Sequence, residues 1–149
     1  MRVLIQRVTS ANVVVDEKVT GAIEQGLLVL IGITHADTEV VEDRMADKIV
    51  KLRIFSDEQG LMNKSVIDVG GALLAVSQFT LYADAKKGNR PSYTDAARPE
   101  QASPAFDRFV AKLSARMGKP VPTGLFGADM KVSLVNDGPV TIWLDSETL

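Results

Sequence analysis

Apolar runs of strand length, separated by turn residues, fill the first half of the chain. Residues 3–15 are rich in Val, Ile and Thr, which favour strands. Residues 16–18 are charged and predict a hairpin turn into a short return strand over 19–21. Residues 27–33 form a continuous apolar run, which predicts a central strand covered on both faces. The run 72–76 predicts a further buried strand.

Two amphipathic patterns predict helices. The first places four apolar side chains on one helical face, at spacings of four, four and three: Val41, Met45, Ile49 and Leu52. Either Asp37 or Thr38 can cap this helix at its amino end. The second pattern places five apolar side chains on one face: Phe106, Phe109, Val110, Leu113 and Met117. We expect this helix to begin with Ser103 as its cap and Pro104 as its first residue, and to end at Gly118.

The carboxyl-terminal part of the chain alternates apolar and polar residues with the period of a strand. Residues 130–134 and 140–144 both alternate in this way, and Asn136-Asp137-Gly138-Pro139 separates them. These features predict a C-terminal hairpin with a stiff turn, and residues 53–62 predict another hairpin. No repeat, low-complexity segment or linker is evident, so we expect a single domain over 1–149 that mixes α and β elements.

A polar stretch, residues 77–84, follows the buried strand directly. We expect it to continue as a strand that alternates polar and apolar sides: Gln78, Thr80 and Tyr82 against Phe79 and Leu81. The loop 85–92 comes next and contains Lys86, Lys87 and Arg90. Hydroxyl and amide groups beside a cationic loop suit an anionic ligand. An ordinary amphipathic strand that runs into a surface loop accounts for the same pattern, so both interpretations stand at this point.

Composition narrows the possible functions. The 149 residues are 46% hydrophobic and 24% charged, with a net charge of -2, which is typical of a globular protein. A polyanion would therefore have to meet a local basic patch rather than a basic surface overall. The absence of cysteine excludes disulfides, thiolate zinc sites and cysteine nucleophiles. The N-terminus does not resemble a signal peptide, and no apolar run approaches the roughly 20 residues of a membrane helix, so we expect a cytoplasmic protein.

Few residues suit side-chain catalysis. His35 is the only histidine, and its place in a polar turn favours a solvated or capping role. No phosphate-binding loop, dinucleotide fingerprint or metal-ligand spacing occurs, so we expect no cofactor and no metal. Thr80 could serve as a nucleophile only with a general base, and no sequence neighbour provides one. Backbone N–H groups at the end of a strand can instead stabilise an oxyanion without any particular side chain.

Two separated motifs together resemble the D-aminoacyl-tRNA deacylases of the bacterial and eukaryotic type. Ser77-Gln78-Phe79-Thr80 is similar to the first signature of that family, and Asn136-Asp137-Gly138-Pro139-Val140-Thr141 is similar to its second, the Gly-cisPro motif. The opening residues 1–8 and the loop 88–92 are also similar to the family, and the resemblance runs from residue 1 to the C-terminal strand. X-Pro bonds can be cis, although a plain hairpin turn is the simpler interpretation of Gly138-Pro139 alone.

The resemblance implies a fold, an assembly and an activity. It implies mixed, largely antiparallel sheets with two main helices packed outside, in three layers ordered β/β/α, and a homodimer with active sites at the subunit interface. The implied reaction is hydrolysis of the ester that joins a D-amino acid to the terminal adenosine of tRNA. Glycyl-tRNA is an expected second substrate, because glycine has no side chain to exclude.

The resemblance also implies roles for individual residues. The carbonyl groups of Gly138 and Pro139 would enter the partner's pocket, hold the substrate's α-amino group and leave no room for an L side chain. Arg7 would brace that turn. Backbone N–H groups near Phe79 and Thr80 would stabilise the oxyanion.

The remaining implied roles concern recognition of the RNA. Ser77 and Gln78 would shape the adenosine pocket, and Lys86, Lys87 and Arg90 would contact phosphates of the acceptor stem. Two other functions stay open on the residues alone. One is a non-catalytic nucleic-acid-binding dimer that uses the same basic loop, and the other is a small-molecule esterase with a threonine nucleophile.

Overall fold

The computed structural model describes residues 1–149, in which strands and helices are interspersed along the chain. The strands are β1 (Arg2–Val15), β2 (Lys18–Ile23), β3 (Gly26–Gly32), β4 (Phe55–Ser56), β5 (Met62–Lys64), β6 (Ala72–Ser77) and β7 (Lys131–Asp145). The helices are α1 (Glu39–Lys51) and α2 (Pro99–Met117), and a 3-10 turn occupies Phe79–Tyr82. This mixture of α and β elements confirms the class predicted from the sequence.

The long strand β1 organises the five-stranded main sheet. It is antiparallel to β2, β3 and β7, while β6 lies parallel to β3 on the far side. The sheet is therefore mixed and largely antiparallel, as expected. The strands β4 and β5 form a separate hairpin, in which the N–H of Asp57 donates to the carbonyl of Leu61 at 2.8 Å. A hairpin is thus confirmed in this region, although it spans residues 55–64 and not the predicted 53–62.

Two hydrophobic cores lie on opposite faces of the central strands. The larger holds 24 buried residues, and in it both helices pack on one face of the sheet. The smaller holds eight, and it joins the second half of β1 and strand β2 to the other face of β3 and β6. Along β3, Leu27 and Val29 belong to the first core and Leu28 to the second, so this strand is covered on both faces, as predicted. The layers run β/β/α.

Helix α1 has the boundary and the buried face that its sequence predicts. The hydroxyl of Thr38 accepts a hydrogen bond from the N–H of Val41 at 3.4 Å, which satisfies one of the free donors of the first turn. Met45 and Ile49 are fully buried against the sheet, and Leu52 packs beside them. Neither α1 nor α2 has the length and apolar character that a membrane crossing needs.

Helix α2 begins earlier than predicted. Its cap is Arg98 and its first residue is Pro99, so Pro104 lies inside the helix and not at its start. Pro104 lacks the N–H that would bond one turn back. The added turn nevertheless buries Ala102 in the larger core. The helix ends as predicted, at Gly118 in the left-handed conformation with φ 70°.

The predicted C-terminal hairpin is wrong, because β7 is one continuous strand. Both of its halves pair with β1, which is long enough to give each half a partner. Gln6 pairs with Thr141 and Val8 with Asn136, so two steps along β1 face five steps along β7. The extra residues bulge out of the strand, and the chain does not reverse direction there.

Candidate active site

The parallel strands β3 and β6 end together, and the predicted site residues begin at that edge. Ser77 is the last residue of β6, and the N–H of Gln78 donates to the carbonyl of Ile31 at 2.8 Å. The chain then turns sharply into the 3-10 turn. Gly32 permits this, because a Cβ there would lie 3.1 Å from the carbonyl oxygen of Gln78. Crevices beyond the carboxyl ends of parallel strands are common ligand sites.

The expectation that residues 77–84 alternate as a strand is wrong beyond Ser77. The 3-10 turn places Phe79 on the surface, 56% exposed, and buries Tyr82. The guanidinium carbon of Arg2 lies 4.5 Å from the centre of the Tyr82 ring. Burial raises the pKa of the Tyr82 hydroxyl well above its ordinary value, and the nearby Asp37 carboxylate adds to the effect. Tyr82 is therefore a packed, neutral side chain.

Backbone donors are available at the start of the 3-10 turn. The N–H of Leu81 donates to the carbonyl of Gln78 and so closes the turn. The N–H groups of Phe79 and Thr80 come before that bond and have no carbonyl within the turn to accept them. The side-chain amide of Gln78 donates to the hydroxyl of Thr80. No carboxylate or imidazole contacts that hydroxyl, so nothing in the structure activates Thr80 as a nucleophile.

A cavity of about 740 Å³ opens beside these groups. Ser77, Gln78 and Phe79 contribute to its wall, whereas Thr80 does not. Most of the lining is apolar and comes from the ends of β3 and β6, the start of α2 and the segments 93–98 and 126–132. A predominantly apolar cavity with a few polar groups at its edge is typical of a site for an organic ligand.

Several cavity residues were not predicted from the sequence. Tyr93 meets Phe79 edge to face with ring centres 5.1 Å apart, and both rings are partly exposed at the mouth. Phe126 lies deeper, 6.2 Å from the ring of Phe106. The signal that marks Phe126 is an aromatic residue just before Gly127, whose φ of 77° turns the chain. Tyr93 follows the basic loop and carries no comparable signal.

His35 lies on the cavity wall, although it was expected to be a solvated or capping residue. Its Nε2 is 2.8 Å from the carbonyl oxygen of Thr94, and because a carbonyl only accepts, Nε2 carries the proton. The side chain is exposed. No group of three or more His, Asp or Glu side chains is gathered closely enough to hold a metal ion.

The bulge in β7 carries Gly138 and Pro139 on its exposed tip, joined by a cis peptide bond. Asn136 fastens the base of the bulge, since its side-chain oxygen accepts the N–H of Val140 at 3.1 Å. Gly138 has φ 129°, and a Cβ there would lie 2.9 Å from a methyl group of Val140. Both the conformation and the space therefore require glycine.

Arg7 holds the bulge from strand β1. Its Nε donates to the carbonyl oxygen of Asp137 at 3.1 Å, and its Nη1 donates to the carbonyl oxygen of Ile54 at 2.7 Å. Nε also lies 3.5 Å from the Asp137 carboxylate. The Arg7 side chain is 12% exposed, and its guanidinium joins two separate backbone segments. Arg7, Ile54, Asp137 and the Gly138-Pro139 tip do not line the cavity, so the structure leaves the two predicted motifs in different places on one chain.

The basic loop forms a third group. The backbones of Asp84 and Ser92 exchange two hydrogen bonds of 2.8 Å, which close the loop at its base. Lys86, Lys87 and Arg90 are exposed on it, and none of them forms an ion pair. Because Tyr93 follows directly and lines the cavity, the loop lies near the cavity mouth.

Comparison with known proteins gives consistent matches. Residues 4–145 match the family described as D-Tyr-tRNA(Tyr) deacylase. The chain is 62% identical to a D-aminoacyl-tRNA deacylase of Dechloromonas aromatica (strain RCB), with 99% of this chain and 98% of that protein covered. It is similar to the solved structure of a c-Myc DNA Unwinding Element Binding Protein, with a TM-score of 0.91, 42% identity and coverage of 97% and 98%.

A second solved structure shares the fold. It is described as a structural analysis of a probable eukaryotic D-amino acid tRNA deacylase. Its TM-score is 0.83 at 17% identity, with 96% of this chain and 97% of that chain covered. The arrangement of strands and helices is therefore common to both at low sequence identity.

Proposed function

The chain belongs to the D-Tyr-tRNA(Tyr) deacylase family, and from this we propose that it hydrolyses the ester between a D-amino acid and the 3′-terminal adenosine of tRNA. One observation carries the proposal beyond membership. An apolar cavity of about 740 Å³ lies beside two free backbone N–H groups, and no base contacts the neighbouring Thr80 hydroxyl. Such a site suits an ester that is already reactive and that needs positioning more than side-chain chemistry. We assign this activity to a single domain over residues 1–149 that acts in the cytoplasm.

The cavity takes the terminal adenosine. Its apolar wall can cover the base, and the side chains of Ser77 and Gln78 at its edge supply hydrogen bonds to the ribose or the base. This arrangement leaves the ester next to the start of the 3-10 turn. The N–H groups of Phe79 and Thr80 then donate to the oxyanion that forms on the ester carbonyl.

The reaction needs no covalent intermediate on the protein. Water attacks the ester carbonyl carbon, and the bond from that carbon to the ribose 3′-oxygen breaks. The departing 3′-oxygen takes a proton from the attacking water, so that the products are a D-amino acid and tRNA. The substrate's own 2′-hydroxyl can assist this proton transfer, which agrees with the lack of a base near Thr80.

Chirality is judged by the exposed bulge, in an assembly of two chains. In one chain Gly138 and Pro139 lie away from the cavity, so we assign them to the cavity of a second copy. Their carbonyl oxygens would accept hydrogen bonds from the substrate's α-amino group, and the tip would then occupy the space of an L side chain. Arg7 keeps the tip in place. Glycyl-tRNA would be hydrolysed as well, because it presents no side chain to exclude.

The basic loop contributes affinity and not sequence preference. Lys86, Lys87 and Arg90 are unpaired cations near the cavity mouth, where the acceptor stem would approach. Contacts to phosphates position a nucleic acid without reading its bases. This suits an enzyme that acts on several tRNAs.

A second candidate function is nucleic-acid binding without catalysis, by a dimer of this chain. It is favoured by the likeness to a structure described as a c-Myc DNA Unwinding Element Binding Protein, at 42% identity. The same basic loop would serve it.

The test compares hydrolysis of D-tyrosyl-tRNA and L-tyrosyl-tRNA by the purified protein. Rapid loss of the D ester with the L ester spared is expected. Loss of both esters would retain the hydrolase and overturn exclusion by the Gly138-Pro139 tip. If neither ester is cleaved while tRNA still binds, the non-catalytic function replaces the proposed one.

A further inference from the structure

Helix α1 carries two charged faces with different surroundings. Its acidic face meets the basic face of α2, and the pairs include Arg108 with Glu42 at 3.0 Å and Arg116 with Asp47 at 2.6 Å. Lys112 lies 3.3 Å from Asp43 in the same network. The hydrogen bond that Arg108 donates to the Glu42 carboxylate raises the pKa of Arg108 above its ordinary value. The acids of α1 are thus neutralised by a neighbouring helix.

The basic face of α1 has no such partner. Arg44, Lys48 and Lys51 recur at spacings of four and three, which places them in one stripe, and Arg53 follows the end of the helix. These four residues line a shallow surface groove of about 380 Å³, hereafter the α1 groove. None of the four forms an ion pair with an acid.

The few neighbouring groups leave the α1 groove positive. Asp47 is the only acid on its wall, and Arg116 already binds that carboxylate. The hydrogen bond from Arg116 holds the pKa of the Asp47 carboxyl below its ordinary value. Arg44 donates one hydrogen bond, to the carbonyl oxygen of Ser146 at 3.1 Å. The α1 groove therefore gathers four cations on a chain whose net charge is -2.

Stability of the helix does not account for this stripe. Cations in the last turn, such as Lys48 and Lys51, are favoured by the helix dipole, by a few tenths of a kcal/mol when exposed. Like charges four residues apart, such as Arg44 and Lys48, destabilise a helix by a similar amount. These two effects on helix stability roughly cancel. Ligand binding is the remaining reason for a stripe of cations on this face.

The α1 groove adjoins the bulge that carries Gly138. Arg53 precedes Ile54, and Arg7 joins the carbonyl oxygen of Ile54 to that of Asp137. One guanidinium therefore separates the end of the α1 groove from the bulge. In the proposed dimer the bulge reaches the partner's cavity, so the α1 groove would flank the site where the RNA enters.

We propose that the α1 groove binds the phosphate backbone of the tRNA substrate, away from its 3′ end. The inference rests on the proposed function, which supplies the RNA. The linear arrangement of cations in the α1 groove suits a polyanion better than a single phosphate. From Arg44 to Lys51 the helix rises roughly 10 Å, so the cations lie along a line and do not converge on one point. Exposed Lys and Arg side chains in a row neutralise successive phosphates and release their counterions.

The experiment compares two variants that lose the same charge. Lys48→Gln/Lys51→Gln removes two cations of the α1 groove, and Lys18→Gln/Lys119→Gln removes two exposed cations elsewhere. Binding of tRNA that carries no amino acid is measured from 50 to 200 mM salt. The α1-groove variant is expected to bind roughly tenfold more weakly near 0.15 M salt, with the salt slope reduced by about 1.4 to 1.8. The control is expected to bind like the wild type.

A second substrate separates RNA binding from chemistry. A D-aminoacyl ester of adenosine alone has no RNA body, so the α1-groove variant should cleave it at the wild-type rate while its kcat/KM on D-aminoacyl-tRNA falls about tenfold. Equal losses in both double variants would overturn the inference, since net charge alone would then explain them. An unchanged salt slope in a protein that cleaves D-aminoacyl-tRNA would overturn it too, and leave the proposed function standing. A third outcome is that the wild type cleaves neither the adenosine ester nor D-aminoacyl-tRNA, while the α1-groove variant loses tRNA binding. In that case the inference holds and the proposed function fails.

Discussion

Arg7 and Asp137 are joined by a hydrogen bond of 3.1 Å from the guanidinium Nε to the backbone carbonyl oxygen. This bond fixes the chain immediately before Gly138, at the start of the exposed tip of β7. A second bond from the same guanidinium, to Ile54, prevents the side chain from rotating away. The position of the tip therefore depends on one planar group with two fixed donors.

Replacing Arg7 with lysine should impair catalysis more than folding. An ammonium group cannot match the fork that joins Ile54 to Asp137, so at least one carbonyl oxygen loses its partner. The expected cost is about 1–2 kcal/mol, which lowers Tm by roughly 3–6 °C. The displaced tip should lower kcat/KM on D-tyrosyl-tRNA by about a hundredfold. A lowered Tm with unchanged kcat/KM would limit Arg7 to a structural role.

Gly138→Ala should strongly lower deacylase activity without unfolding the protein. The new Cβ would lie 2.9 Å from Val140 and 3.2 Å from Nη2 of Arg7, so the tip and its brace must both move. Gly118→Ala is the matched control, because it also places alanine at positive φ but in open space at the end of α2. Each variant should lose about 1 kcal/mol or more of stability. Only Gly138→Ala should lose deacylase activity, by about a hundredfold, and equal activities would contradict the assignment of the tip.

Thr80→Val should retain deacylase activity within about tenfold of the wild type. The hydroxyl of Thr80 accepts a hydrogen bond from Gln78 and has no base, so its loss leaves the backbone donors unchanged. Single-turnover hydrolysis of D-tyrosyl-tRNA measures the effect. A loss of a thousandfold or more, with a burst of the first product in the wild type, would instead establish a covalent threonine intermediate.

The elements that the sequence predicts well are those set by local patterns. Met45 and Ile49 of α1 are buried at their expected spacing, and Thr38 caps the helix where the pattern begins. Leu27 and Leu28 enter opposite cores because a continuous apolar strand needs cover on both faces. In each case the residues that carry the pattern lie within about one helical turn or one strand of the feature that they predict.

The parts that the sequence does not predict depend on distant partners. Asn136-Asp137-Gly138-Pro139 has the residues of a hairpin turn, but the length of β1 decides that the chain bulges and continues. Local turn chemistry is the same in both cases. The cavity is not predicted for the same reason, since Tyr93 and Phe126 come from separate segments of the chain and line one cavity only in the folded protein.

Acid should weaken the turn that leads into β6. The N–H of Ser65 donates to the carboxylate of Asp68 at 2.9 Å, and this bond holds the pKa of Asp68 below its ordinary value. A depressed pKa stabilises the fold above the unfolded value near 4, and this contribution is lost as pH falls through the lower folded value. Asp68→Asn should therefore lose less of its stability than the wild type between pH 7 and pH 3, by urea unfolding. Ser65→Ala keeps the N–H donor and should retain most of the wild-type pH dependence, and identical curves for Asp68→Asn and the wild type would contradict the argument.

Lys86→Gln/Lys87→Gln should weaken tRNA binding independently of the α1 groove. The loop is closed by Asp84 and Ser92 at the cavity mouth, whereas the α1 groove adjoins the β7 bulge. Each surface should contribute its own phosphate contacts, so the loop variant should reduce the salt slope by about 1.4 to 1.8 if both lysines meet phosphates. Contacts that share no partner are additive, so a variant that combines these changes with Lys48→Gln/Lys51→Gln should lose the sum of the two slopes. A combined slope no smaller than either alone would mean that the tRNA uses one surface at a time, and an unchanged slope in the loop variant would place the RNA away from the loop.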